Sequence, residues 1–336
     1  MWTVAAYVAD MTNTTADGDD TMEWRHIRYD QPDPDIARIV LARPEKRNAQ
    51  DARTLYELNA AFDRAAHDDE VKVIILAADG PHFSSGHDLM PDETITDVHA
   101  EYEVVGCWSG FGRDGAEGFM AMEQEMYLGF SWRWRNIPKP LIAEVQGKVI
   151  AGGLMLMWPC DLVVCSDDAT FTDPVVALGV NGHEFHVHLW ELGHHRRAKE
   201  MLFTGEAIDA REAHDIGMVN QVVSREDLPA ATLDLARKVA KRSSFALMTA
   251  KQSVNQALEA QGMLTAIQAA YSLHILGHSH SMQKFGMPID PAGPGILRAQ
   301  ARTDAERRTQ AKTDANDRAH ASGDGDSRAP GEAQSA

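Results

Sequence analysis

Val71-Lys72-Val73-Ile74-Ile75-Leu76 constrains this chain more than any other segment. An apolar run that does not alternate with polar residues has no face to give to water. As a strand, it must be covered on both sides. Leu141 to Val145, after Pro140, repeats the pattern, and Ile36 to Leu41 comes close to it. Buried strands of this kind belong to layered α/β cores, with helices packed on both faces of the sheet.

The stretches between these runs have helical character. A helix is expected over 52–68, a second from about 115 to 135, and long helices over 228–242 and 244–276. Shorter strands are expected near 21–29, 162–165, 169–171 and 218–223, with helices over 189–203 and 207–216. Gly217 stops the last of these. The alternation of strand and helix followed by helices alone gives an α/β core with a helical C-terminal part. We divide the chain into an N-terminal segment 1–21 without core material, a core 22–225, a helical region 226–298 and a polar tail 299–336. The tail has almost no large apolar residues, so it cannot bury enough surface to offset its ordering entropy.

Composition narrows the function classes. The formal charge of −18 over 336 residues leaves no basic footprint for nucleic acid. Acidity does not exclude an anionic ligand, which backbone N–H groups and a few local cations can hold. Cys107, Cys160 and Cys165 form neither a paired framework nor a metal spacing, as in a reducing, cytoplasmic setting. No apolar stretch is long enough to insert across a membrane.

Five segments carry a family resemblance, in order: Leu41 to Ala49; Phe83-Ser84-Ser85-Gly86-His87-Asp88-Leu89; Pro140 to Gly153; Cys160-Asp161-Leu162 with Ala169-Thr170-Phe171; and Phe203 to Asn220. Together they resemble the enoyl-CoA hydratase/isomerase (crotonase) family over about 23–288. The resemblance implies a spiral of ββα units, a C-terminal helical region that builds homotrimers or hexamers, and an acyl-CoA substrate. Coenzyme A would be carried as the substrate thioester, with no prosthetic group.

The resemblance also assigns roles. The thioester oxygen of such enzymes sits between two backbone N–H groups, which fall here on Ser85 and Gly152. Such preorganised dipoles stabilise the charge that enolisation or addition puts on that oxygen. Ser84, Gly86 and His87 belong to the same loop. Arg43, Lys46 and Arg47 are expected beside the CoA phosphates, and Lys284 with Phe285 is expected to complete the CoA site. In hydratases of the family, glutamates stand at the positions of Met155 and Val175, and neither residue here can exchange a proton near neutral pH.

Proton transfer must then come from elsewhere. In Leu178-Gly179-Val180-Asn181-Gly182-His183-Glu184, non-hydratase relatives carry a carboxylate at the His183 slot, so His183 and Glu184 are the expected catalytic groups. His183, His186 and His188 lack the helical His-Glu-x-x-His spacing, and no metal is expected there. Aromatic and methionine side chains between Trp108 and Trp134 suit a bulky acyl group, although core packing accounts for most of them. The expected activity is that of a lyase or isomerase acting on an unsaturated acyl-CoA. The alternatives are hydrolysis of a thioester or C–C bond, or acyl-CoA binding without turnover.

Overall fold

The computed structural model of the protein describes residues 23–106, 113–303, 306 and 313. The expected N-terminal segment and Trp108 lie outside them. So does the polar tail after Thr303, apart from 306 and 313.

The strands are β1 (Ile27–Asp33), β2 (Ile36–Leu41), β3 (Val73–Ala78), β4 (Leu141–Val145), β5 (Lys148–Ile150), β6 (Leu162–Ser166), β7 (Thr170–Thr172), β8 (Ile208–Asp209) and β9 (Gln221–Val223). Six of them form one sheet in the order β1-β2-β3-β4-β6-β9, and β5-β7-β8 form a second, smaller one. Only β1 runs antiparallel in the large sheet, where it pairs with β2.

The double-sided burial read from the apolar runs is present. Alternate residues of β2, β3 and β4 point to opposite faces. Ile39, Leu41, Ile74, Leu76 and Ala143 face a large core with Leu55, Leu58 and Phe62 of the helix Ala52–His67. Ile36, Val40, Val73, Ile75 and Ile142 face Leu228, Ala236 and Ala240 of the helix Leu228–Ala240. That helix, expected as part of an assembly region, therefore covers the sheet of its own chain.

The helix Ala52–His67 starts where Asp51 accepts the Thr54 N–H at 2.8 Å, satisfying a donor that has no partner within the helix. The expected helix over 115–135 is present in three pieces. Gly115–Glu123 and Phe130–Arg135 are α-helical, and Gln124–Gly129 between them is π-helical. The extra residue per turn re-aims the side chains around Glu123 and Tyr127. Met126, Phe130 and Trp134 pack into the core, as expected of most of this group.

The helix expected over 189–203 is interrupted at Gly193. His188–Glu191 forms one turn and His195–Thr204 a longer helix. Helix Ser244–Ala260 is mostly at the surface, with Lys251 and Leu258 turned inward, whereas Met263–Phe285 buries Met263, Ile267, Tyr271, His274, Ile275 and His278 against the core. A last helical stretch runs over 293–303, so the first residues assigned to the polar tail continue a helix. Its Leu297 and Ala301 close a cavity of about 280 Å³ over Ser85, Ile150 and Thr172. No helix among the described residues is long and apolar enough to cross a membrane.

Candidate active site

Two chain segments meet edge to edge at the site. Ser84 to Asp88 follows β3, and Lys148 to Gly153 runs through β5 into the helix Gly152–Met157. Ser84 bridges Val149, and His87 bridges Gln50, both in parallel sense. Gln50 ties the pieces together: its side-chain amide donates to Gly152 O at 2.7 Å and to Ser84 Oγ at 3.2 Å. Close approach is required at Gly86 (φ +92°), where a Cβ would lie 2.9 Å from Ile150 O and 3.4 Å from Gly152 N.

The backbone donors of this loop can be followed one by one. Ser84 N–H donates to Lys148 O, Ser85 N–H to Arg47 O at 3.0 Å, Gly86 N–H to Ser84 Oγ at 3.2 Å and Asp88 N–H to Gln50 O at 2.7 Å. Among the described residues, the His87 N–H is the one in this loop left without an acceptor. The parallel bridge explains why. Gln50 N–H donates to Gly86 O, and Gln50 O accepts from Asp88, so His87 turns its own N–H to the other side. Ser85, expected as the donor, is corrected here because its N–H is already used. His87 takes that position two residues on.

Gly152 opens its helix, where first-turn N–H groups have no intrahelical acceptor. Ala151 before it is held at φ 46°, ψ −108°, a strained conformation that non-glycine residues rarely adopt. The His87 ring lies directly over Gly152: a Cβ there would stand 2.8 Å from His87 Cε1. The other face of the ring stacks on Tyr127, with centroids 4.1 Å apart.

His183 and Glu184 are adjacent in sequence but diverge. Glu184 Oε2 lies 3.4 Å from His87 Nε2, and Oε1 lies 3.5 Å from His274 Nε2. Burial alone would push the Glu184 carboxyl up, but His87 and His274 outweigh it and hold the group well below the usual carboxylate range. Conversely, the Glu184 and Glu123 carboxylates overcome burial at His274 and raise it to about 9. Burial pushes the Tyr127 phenol up, with Glu184 and Glu123 adding to the effect, so it stays protonated.

His183 faces a separate buried cluster. Its ring packs beside Trp158 and His188. Asp173 accepts from His188 Nε2 at 2.8 Å and from the His183 N–H at 3.2 Å. Burial pushes His183 down to about 3, so it is a neutral core imidazole. Met155 and Val175 are buried among apolar side chains, so no carboxylate stands at either position.

The expected CoA contacts are unevenly placed. Arg43 is corrected to a structural residue: it is buried, 3.0 Å from Asp51 and 3.2 Å from Asp88, and it donates to Ala49 O at 2.9 Å. Lys46 is partly exposed, 3.4 Å from Asp92. Arg47 is exposed, and its carbonyl takes the Ser85 N–H. Lys284 ends the helix Met263–Phe285 with its ammonium 4.8 Å from the Phe285 ring centroid.

Sequence reasoning missed Glu123, His274 and His278, and it read Tyr127 only as one of the aromatic side chains between Trp108 and Trp134. His274-x-x-x-His278 was visible as an i, i+4 pair on a long helix, a spacing that puts both rings on one face. Glu123 carried no such signal.

The comparisons with known proteins give the family. The enoyl-CoA hydratase/isomerase family model matches residues 33–103 and 113–288, and this chain belongs to that family. It is 42% identical over 266 residues to a candidate enoyl-CoA hydratase, EchA13, of Mycobacterium tuberculosis, covering 77% of this chain and 82% of that protein. It is 27% identical over 266 residues to 4-chlorobenzoyl coenzyme A dehalogenase-2 of Arthrobacter, covering 78% and 90%. A crystal structure of a probable enoyl-CoA hydratase from Mycobacterium smegmatis superposes with a TM-score of 0.71 at 47% identity, covering 79% of this chain and 99% of that one.

Proposed function

We propose that this protein acts on an unsaturated, bulky acyl-CoA, with the thioester oxygen between the N–H groups of His87 and Gly152 and with Glu184 moving the proton. The observation that carries this reading is the contact of Glu184 Oε2 with His87 Nε2 at 3.4 Å, directly over Gly152. It brings one carboxylate to the His87 ring, which lies over Gly152.

Double-bond isomerisation fits best, because classical hydration uses two acids and the positions of both are apolar here. Glu184 removes a proton from the carbon next to the thioester, and the negative charge moves to the thioester oxygen, where the two N–H dipoles stabilise it. The same carboxyl returns the proton two carbons further along, and the double bond shifts. His87 meets Glu184 at the long end of hydrogen-bonding distance. An acyl chain entering beside it displaces the ring and makes the carboxylate more basic.

Hydrolysis is the second reading, because an ionised carboxylate beside a histidine is also suited to activating water. Coenzyme A takes part as the carrier of the substrate. Lys46 and Arg47 remain the candidates for its phosphates.

Assembly as a homotrimer or hexamer belongs to the same proposal. Exposed Phe203, Leu273 and Leu276 border a depression of about 720 Å³. Apolar side chains clustered in this way on a surface mark an interface. A cytoplasmic location is part of the same reading. Incubation with a panel of acyl-CoAs, followed by chromatography and mass spectrometry, separates isomerisation, hydration and cleavage in one experiment. Absence of any turnover leaves binding without catalysis as the function.

A further inference from the structure

We propose that Glu123, His274 and His278 bind one divalent first-row metal ion, with zinc the best match. The three residues come from the end of the helix Gly115–Glu123 and from one face of Met263–Phe285, so the sequence shows the His274-x-x-x-His278 pair but not its carboxylate partner.

The argument starts from the imidazole protons. His274 Nδ1 lies 2.6 Å from Gly182 O, and His278 Nδ1 lies 2.7 Å from Pro288 O. A carbonyl only accepts, so each Nδ1 carries a proton, and in the neutral ring each Nε2 presents a lone pair. The two Nε2 atoms stand 3.0 Å apart, facing each other. Two lone pairs at that distance repel unless a cation lies between them; without metal that cation is a proton on His274, which a bound metal ion replaces. Backbone carbonyls at the far nitrogen are also the usual way in which metal-binding imidazoles are oriented. Phe119 stacks on His278, with centroids 5.3 Å apart, and fixes that ring further.

The carboxylate completes the set. Glu123 Oε1 is 3.3 Å from His278 Nε2, and Oε2 is 3.6 Å from His274 Nε2. Glu123 is 3% exposed, and its Oε2 has no hydrogen-bond partner. Metal–ligand bonds of about 2.0–2.2 Å place neighbouring ligand atoms about 3–3.6 Å apart, and the three separations among Glu123, His274 and His278 fall in that range. Two neutral imidazoles with the Glu123 carboxylate carry one net negative charge, which attracts a divalent ion. Mixed nitrogen and carboxylate ligands suit zinc among the first-row metals.

Asp173 with His183 and His188 is the other histidine–carboxylate cluster among the described residues. It is the weaker candidate, because Asp173 already accepts from His188 and from the His183 backbone.

The test uses the full-length chain, stripped with a chelator and titrated with Co²⁺, whose visible absorption reports coordination. The expected result is saturation at one equivalent per chain, displacement by Zn²⁺, and a higher unfolding temperature with Zn²⁺ than without. Glu123→Gln and His278→Gln are expected to weaken binding at least about tenfold. His280→Gln, an exposed neighbour on the same helix, is expected to bind as the parent does. Circular dichroism without metal establishes that each variant is folded. A proton shared between the two rings, in place of a metal, predicts no saturable uptake by the parent, and that result overturns the proposal. Folded ligand variants that bind as tightly as the parent also overturn it. Neither outcome bears on acyl-CoA turnover, which the substrate panel measures separately.

Discussion

Glu184 Oε2 meets His87 Nε2 at 3.4 Å across 97 positions of sequence. In the proposed function this contact makes Glu184, and not its neighbour His183, the proton carrier, because the two adjacent side chains point in different directions. Glu184→Gln keeps the shape of the side chain and removes the proton acceptor. It is expected to slow the chemical step by about 10²–10⁴-fold with little change in acyl-CoA affinity. Single-turnover kinetics on a substrate identified by the panel checks this; a variant close to the parental rate rules Glu184 out.

His183→Gln is expected to behave differently. Its ring is enclosed with Trp158, Asp173 and His188. The variant should lose stability while its rate per folded molecule stays within a few-fold of the parent. Thermal unfolding and single-turnover rates measured on the same preparation separate the two effects. A hundredfold loss of rate in a stable His183→Gln protein would contradict the placement.

Gly152→Ala adds a methyl group where the His87 ring lies at 2.8 Å. The ring must move, and the methyl group stands beside the Gly152 N–H that the thioester oxygen has to reach. Loss of one oxyanion donor costs about 10²–10³ in kcat, and a decrease of that order is expected. A folded Gly152→Ala protein with parental kcat would show that the two N–H groups do not hold the thioester oxygen.

Asp51 gives a prediction about acid stability. Burial would raise its carboxyl, but hydrogen bonds from His26, the Thr54 N–H and the Thr54 hydroxyl overcome that and hold it at about 2. A folded-state value below the unfolded value of about 3.9 means that the folded chain binds fewer protons in that interval. The contribution is therefore complete above about pH 4 and is lost as the pH falls through about 2. Its size is roughly 2 kcal/mol. Asp51→Asn should lower stability near neutral pH by about that amount and flatten this part of the acid profile, as measured by denaturant unfolding at several pH values.

Phe203→Glu together with Leu276→Glu places charge on the exposed apolar depression. The double variant is expected to shift the chain from trimer or hexamer towards monomer, read by light scattering, without loss of secondary structure. A parent that is itself monomeric would remove the assembly proposal.

The sequence by itself determined the sheet, the order of helices and the family. Those properties follow from local patterns: the largely apolar runs at Val71 to Leu76, Ile36–Leu41 and Leu141–Val145 require cover on both faces, and Gly152-Gly153 and Phe83 to Leu89 carry the family's turns. It also singled out Gly152, His87 and Glu184 as candidates for the site. Only the tertiary structure decided which atoms do what. Ser85 loses its donor role because Arg47 O takes its N–H, and Arg43 is drawn inward by Asp51 and Asp88. Glu123, His274 and His278 converge because the helix Gly115–Glu123 and the late helix Met263–Phe285 pack against each other. Periodicity along a chain records which face of an element is buried. Hydrogen-bond direction and side-chain convergence depend on how distant elements register, and that information is absent from any single segment.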